Sequence, residues 1–225
     1  YKRQVLELVR ESDRIVGVKN ATETYYSANV VVCAGGFTRM LLKENGIPVR
    51  IYFTHAEMIE IPPPDVRLNT LVMPAQLKRF QLEAQASQSE FDRLWDRSGN
   101  EPVPSILDAG AVQLQDGSIR IGQISRTLTD PDAKIDAEAS EFAIRDRVGK
   151  ILPAIGKLPG TWHHCLVAFS HNHLAVVGTI PNLEGVHIFS GFSNPLVFAP
   201  PLAQRFANFV CGQTDPIINQ LTPDT

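Results

Sequence analysis

The chain has 225 residues, a net charge of −3 and a pI near 6.1, with no Lys/Arg-rich block, which argues against a nucleic-acid or anionic-membrane surface as its main partner and leaves small molecules and proteins. The length suffices for one large or two small domains with a full core, and no stretch reaches the roughly 20 apolar residues of a membrane span. Cys33, Cys165 and Cys211 are odd in number and widely spaced without a CxxC, so they suggest neither a disulfide framework nor a thiolate metal site and point to a reducing, cytoplasmic setting.

Taken in order, residues 3 to 9 and 14 to 19 read as two strands around the polar turn Glu11-Ser12-Asp13. The chain opens inside the first of these without Met or a polar arm, and the expectation is that a further segment belongs before it. Tyr25 to Cys33 reads as a third strand, and its run Asn29-Val-Val-Val-Cys33 has the continuous β-branched character of an interior strand covered on both faces. Ala34-Gly35-Gly36 follows, then a short helix from Thr38 to Asn45 closed by Gly46. From Val49 to Ile61 the apolar period is two, and Pro62-Pro63-Pro64 stops the ladder. Leu68 to Met73 is the next expected strand of this second, antiparallel layer.

Residues 75 to 98 carry Leu77, Phe80, Ala84, Phe91 and Trp95 at near-helical spacing, which predicts an amphipathic helix broken near Ser87. Two roles stay open for it: covering the sheet, or packing on a partner subunit with Trp95 as the anchor. Asp108 to Ile124 reads as a hairpin turning at Gln115-Asp116-Gly117, Asp130-Pro131-Asp132 as a loop, and Ala137 to Leu152 as a helix with Phe142, Ile144, Val148 and Ile151 inward and Pro153 as its stop. Trp162 to Phe169 and Ala175 to Val177 are strands flanking Ser170-His171-Asn172-His173. A last strand runs into Gly191, a loop holds Phe192, Ser193, Asn194 and Pro195, and an apolar-periodic helix follows with Leu202, Phe206 and Phe209 on one face.

Three features carry chemical potential. The Ala34-Gly35-Gly36 and Gly191 turns lie where open α/β sheets bind ligands, at strand carboxyl ends with unpartnered helix N–H groups close by. The third is the segment 162 to 173, with His163, His164, Cys165, His171 and His173. His171 and His173 on one strand face have the reach to chelate a metal, but no carboxylate accompanies them at ligand spacing, and no metal site is assigned. No nucleophile elbow, Ser-His-Asp pattern or P-loop is present, and no catalytic residue is assigned.

Together these features resemble the carboxyl-terminal half of the D-amino-acid oxidase, glycine oxidase and sarcosine oxidase family of FAD-dependent amine oxidoreductases. The resemblance runs from Val5 to Pro223. Val5 to Val18 is similar to the family's strand-turn-strand ending in Gly-Val, and the resemblance implies that the Val5 backbone meets the adenine. Ala28 to Phe37 resembles the family's Ala-Gly turn against the dinucleotide, Asp116 to Gly122 its Asp-Gly hairpin, and Gly185 to Ser193 its last strand entering the flavin loop.

Implied FAD contacts are therefore Val5, Ala34, Gly35, Gly36, Cys165, Gly191, Phe192, Ser193, Asn194, Pro195 and Leu196. Cys165 falls where sarcosine oxidases bond the flavin covalently; the alternative is a small hydrophobe, and both stay open. His55, His171 and His173 are the substrate-side candidates.

Departures from the pattern matter as much. The amino-terminal glycine fingerprint that holds the pyrophosphate is absent, which implies a separate FAD-binding fragment or subunit and a hetero-oligomer. Val167 stands where several members carry the arginine that clamps an amino-acid carboxylate, and Pro195-Leu196 stands where they tend to carry glycine.

The expected fold is α/β with α+β character: part of an FAD/NAD(P)-binding Rossmann-like layer in residues 1–48, an antiparallel substrate-binding sheet with helix 75–98 in 49–160, and a return to the first layer in 161–225. The expected function is the oxidation of an amine or amino-acid-like C–N substrate, completed by the partner. The alternative is a degenerate, non-catalytic docking subunit of such a complex.

Overall fold

The computed structural model describes residues 4–223. The chain opens with the hairpin β1 (Glu7–Glu11) and β2 (Arg14–Lys19), turning at Ser12 and Asp13, with Leu8 and Ile15 buried on one side. Residues 1 to 3, the expected strand start, lie outside the described residues. β3 (Thr24–Tyr26) and β4 (Val30–Val32) follow as two strands where the sequence suggests one. β3 pairs antiparallel with β2 and the later strand of the pair runs parallel to another neighbour, so the bend at Ser27–Asn29 redirects the chain between two partners.

A 310 turn (Gly35–Phe37) leads into α1 (Thr38–Glu44), and β5 (Ile51–Ile61) is the long strand the period-two pattern predicts. Leu68 to Met73 does not form a full strand; it contributes the single bridge Val72↔Ala111. The stretch 75 to 98 divides into α2 (Lys78–Ala86), a 310 turn (Ser89–Phe91) and α3 (Asp92–Trp95). The break falls at Ser87, whose hydroxyl turns back onto the Glu83 carbonyl. Trp95 is buried, donates from Nε1 to the Ala86 carbonyl and meets Phe53 edge to face, so it is a core residue and not an anchor for a partner.

β6 (Ile106–Gln113) and β7 (Ile119–Arg126) form the expected hairpin. α4 (Ala137–Gly149) is capped by Asp136, and Ile144 and Val148 face inward, but Phe142 and Ile151 are exposed, because a helical face spans fewer positions than the apolar residues available here. Pro153 opens α5 (Pro153–Gly156) at a helix N1 position, where its missing N–H costs nothing. β8 (Thr161–Ser170), β9 (Val176–Ile180), β10 (Leu183–Ser190), α6 (Pro195–Val210) and α7 (Pro216–Leu221) complete the order.

The chain forms two compact units: residues up to Tyr52 together with those from Val167 onward, and Phe53–Leu166 between them. The first holds a six-stranded mixed sheet in the order β1-β2-β10-β4, with β3 on β2 and β9 on β10. Its core includes Ile15, Val32, Leu42, Val186 and Ile188. β4 ends this order among the described residues and Val31 is exposed, so the interior position expected for the Val30–Val32 run is not what the strand occupies here.

The second unit centres on a four-stranded sheet in the order β6-β7-β5-β8, with Ile59, Ile61, Ile119 and Ile121 packed against Ile144 and Val148 of α4. The fold is thus the mixed α/β layer plus antiparallel sheet that the sequence suggests.

Candidate functional site

Two neighbouring strands of the first unit end side by side. β4 and β10 run parallel, with Val30 opposite Val186 and Val32 opposite Ile188, so their carboxyl ends lead together into Ala34-Gly35-Gly36 and Gly191. Each is followed by a helix, α1 or α6. Ligands of open α/β sheets settle at such a place because helix N–H groups without internal partners converge there.

The two turns are tied to each other. Thr38 and Ser190, both fully or almost fully buried, share a hydroxyl–hydroxyl hydrogen bond of 2.7 Å, and Ser190 Oγ also donates to the Gly35 carbonyl at 3.4 Å. Gly35 has φ +55, and a Cβ built there meets nothing within 4 Å, so its backbone faces open space that a ligand can approach closely. Gly191 has φ +76 and turns the chain out of β10 against Val176.

Beyond Gly191, Phe192 stacks tilted on Phe189 at 4.9 Å between ring centroids, and Phe192 and Ser193 are half-buried. Asn194, Pro195 and Leu196 are exposed. Pro195 occupies the first position of α6, and no side chain caps that end. Ala34 and Gly36 flank Gly35 in the 310 turn, Gly36 buried. Val5 is half-buried just before β1, and Leu6 N–H donates to the Lys19 carbonyl. His187 of β10 donates from Nε2 to Asn29 Oδ1 at 3.1 Å, and burial pushes its pKa down.

His55, in the second unit, is fully buried and engaged through both ring nitrogens. Nε2 lies 2.9 Å from the Asp130 carbonyl, an acceptor only, so Nε2 carries the proton. Neutral His55 then accepts at Nδ1, and His164 Nε2–H is the donor at 3.2 Å. Burial pushes the His55 pKa down; the Asp130 carbonyl and the charge of Glu57 oppose this, and His164 reinforces it. His55 therefore presents no free nitrogen to a ligand without giving up one of these bonds.

Next to it on the same strand face, buried Glu57 pairs with Arg126 Nε at 2.6 Å, and Arg126 reaches Ser140 of α4. Strand alternation puts His163 and Cys165 on the opposite face of β8 from Trp162 and His164, and the Cys165 thiol is free and exposed.

His171 and His173 do not share a strand face. β8 ends at Ser170, and both lie in the turn before β9, His173 with φ +62. His171 lines a small cavity of about 40 Å³ with Arg50 and Gln220, and His173 is exposed. No group of three or more potential metal ligands occurs among the described residues.

Composition and spacing singled out the glycines and the histidine-rich segment, but not Thr38, Ser190, the His55–His164 pair or Glu57–Arg126. All of these join residues far apart in the chain, and the only local signal was an odd polar residue in an apolar run.

The FAD-dependent oxidoreductase family model designated DAO matches residues 1–209. Among solved structures, glycine oxidase from Bacillus cereus superposes with a TM-score of 0.70 at 16% identity over 96% of this chain and 52% of that one. Iminodiacetate oxidase from Chelativorans sp. gives 0.70 at 13% identity over 96% and 52%, and L-proline dehydrogenase from P. horikoshii 0.66 at 18% over 97% and 52%. At such identities the likeness concerns the fold, and this chain spans about half the length of those structures. No curated protein matches. No helix among the described residues is long and apolar enough to cross a membrane. With the family model covering most of its length, the chain belongs to the DAO family of FAD-dependent oxidoreductases.

Proposed function

We propose that this chain supplies the flavin-loop and substrate-sheet part of an FAD-dependent enzyme oxidising an amine or amino-acid-like C–N bond. The carrying observation is the pair of parallel strands ending in Gly35 and Gly191, joined by the Thr38–Ser190 hydrogen bond, with open space over Gly35. The residues fit the cofactor, which when bound supplies the two-electron chemistry. The chain's own part is to place the backbone N–H groups of Gly35 and Gly36, and those of the loop after Gly191 with Pro195 excepted, beside negative charge, as preorganised dipoles that need no rearrangement; the Phe37 N–H is already given to the Ala34 carbonyl and the Thr38 N–H to that of Gly35. The Thr38–Ser190 bond holds the two turns at a fixed spacing. Val5, Ala34 and Gly36 belong to the same proposal as backbone contacts, and Cys165, exposed and free, as the thiol available for a covalent tether.

On the substrate side, Val167 offers no bidentate partner to a carboxylate, which favours a substrate recognised through its nitrogen and apolar parts. His171 and His173 are proposed to flank the substrate, and His55 to act through His164.

A partner segment carrying the pyrophosphate-binding glycines completes the reading. It is supported by the missing fingerprint and by exposed apolar residues of the first unit: Val31, Phe37, Met40, Leu196, Val197 and Phe198. The second reading, a docking subunit without catalysis, rests on Val167 and on Pro195-Leu196.

Purifying the chain with its co-expressed partner and recording visible spectra decides between them. The proposal expects flavin absorption that bleaches on anaerobic addition of an amine, tested with sarcosine and proline and with the carboxylate-free amines N-methylbenzylamine and pyrrolidine, the last two more effective because Val167 offers no carboxylate clamp. Absent flavin bands refute it, and bands that none of these amines bleaches leave the docking reading. Acid precipitation that leaves all the flavin in the supernatant refutes the Cys165 tether alone.

A further inference from the structure

The second unit carries a cavity of about 320 Å³ that the oxidoreductase reading does not use. It opens beside β6, between the start of α2 and the end of α4. Its floor is Leu107 and Ala109, and its sides include Met73 and Ile151, two large apolar side chains left half exposed at 50% and 53%. Single exposed apolar residues are ordinary, but two of them facing one concave apolar floor are not.

Three cations line the same cavity: Lys78 from α2, and Arg147 and Lys150 from the last turns of α4. The one carboxylate in the lining, Asp108, is already engaged, since its two oxygens accept from the backbone N–H groups of Lys78 and Arg79 at 3.1 Å each. It closes the α2 N-terminus and does not neutralise a side chain. Lys150 pairs with Asp146 on the solvent side, in a bond between groups 65% and 46% exposed. Among the described residues, neither Lys78 nor Arg147 has a carboxylate partner. The lining thus combines apolar side chains with cations, and its positive charge is in excess.

From this arrangement we infer a binding site for a small amphiphilic anion: a carboxylate head held by Arg147, Lys150 and Lys78, and an unbranched apolar tail lying on Leu107 and Ala109. At about 320 Å³ the cavity has room for a short unbranched tail such as that of an eight-carbon fatty acid. A cavity of this size is within the range of small-molecule sites. An inorganic anion alone leaves the apolar side chains wet, and a neutral alcohol leaves Lys78 and Arg147 without a carboxylate partner, so both head and tail are required. The cations sit on exposed stems, so each adds modestly and the tail sets most of the affinity.

The test uses the purified full chain with any flavin and partner retained, 13C-labelled at the methionine and isoleucine methyl groups. Sodium octanoate, 1-octanol and inorganic phosphate are titrated separately at constant ionic strength. The expected result is a saturable shift of the Met73 and Ile151 methyl signals with octanoate, at least fivefold tighter than with octanol, and none with phosphate. The variant Arg147→Gln/Lys150→Gln touches only exposed groups and should bind octanoate about fivefold to tenfold more weakly while binding octanol unchanged. Ile151→Gln should weaken both. The inference is overturned if octanoate gives no saturable shift at these methyls, if octanol binds as tightly, or if the double variant binds octanoate like the parent. Because none of these readouts involves the flavin, failure here is distinct from failure of the proposed function.

Discussion

Replacing Arg126 by Met should destabilise the protein far more than any surface ion-pair deletion. Glu57 is fully buried, Arg126 is 26% exposed, and they meet at 2.6 Å; Arg126 also reaches the Ser105 and Ser140 hydroxyls at 3.3 Å each. The second oxygen of Glu57 is buried without a hydrogen-bond partner, so Arg126 is the main group compensating this carboxylate. Removing one member of a buried pair costs about 3–5 kcal/mol, because the remaining charge keeps its desolvation penalty and loses its partner. The exposed pair Arg14–Glu184, with side chains 44% and 75% accessible, should cost under about 1 kcal/mol when broken. Urea unfolding of Arg126→Met, Arg14→Met and the double variant Glu57→Leu/Arg126→Met measures all three terms. The double variant should recover most of the loss, since it removes both charges together. If Arg126→Met costs less than about 1 kcal/mol, or the double variant is no better than the single, Glu57 is hydrated in the folded protein and the reasoning fails.

Two further outcomes follow from the same structure. His55 and His187 have folded pKa values lowered by burial, so the unfolded chain binds more protons around and below the usual imidazole value near 6.5. Their contribution to stability is present above that pH and falls as pH drops through it, by at most about 1.4 kcal/mol per pH unit for each group. Urea midpoints between pH 7.5 and 5.5 should decline, and less steeply in His55→Gln; a flat profile refutes the burial argument. Glycine positions should also separate. In Gly185→Ala the new Cβ runs into the Ile15 carbonyl oxygen at a φ of +73, so more than about 2 kcal/mol is expected. In Gly35→Ala only the φ of +55 opposes the change, at about 1 kcal/mol, and calorimetric melting of the two variants checks the order. Equal losses would refute the contact geometry at Gly185.

Local patterns already carried much of the fold. Alternation in 49 to 61 determined β5, the turn residues around Gly117 determined the β6–β7 hairpin, and the apolar spacing of Phe206 with its neighbours determined α6, because each depends on residues within a few positions of one another. The glycine turns were legible for the same reason: a positive φ or a close backbone approach is a demand that the residue type itself answers.

What the sequence by itself determined, then, was an α/β chain with two glycine turns in the order of one flavoenzyme family. Only the tertiary structure decided that Val30–Val32 lies at the end of its sheet order among the described residues, that Trp95 belongs to the core, and that Phe142 and Ile151 face solvent. It alone joined Thr38 to Ser190, His55 to His164 and Glu57 to Arg126, and it alone placed Arg147 and Lys150 in the lining of one cavity with Leu107 and Ala109. The physical reason is the same in each case: exposure and pairing depend on which distant segment arrives at a position, and a periodic pattern records only that a residue needs a neighbour, not which one it receives.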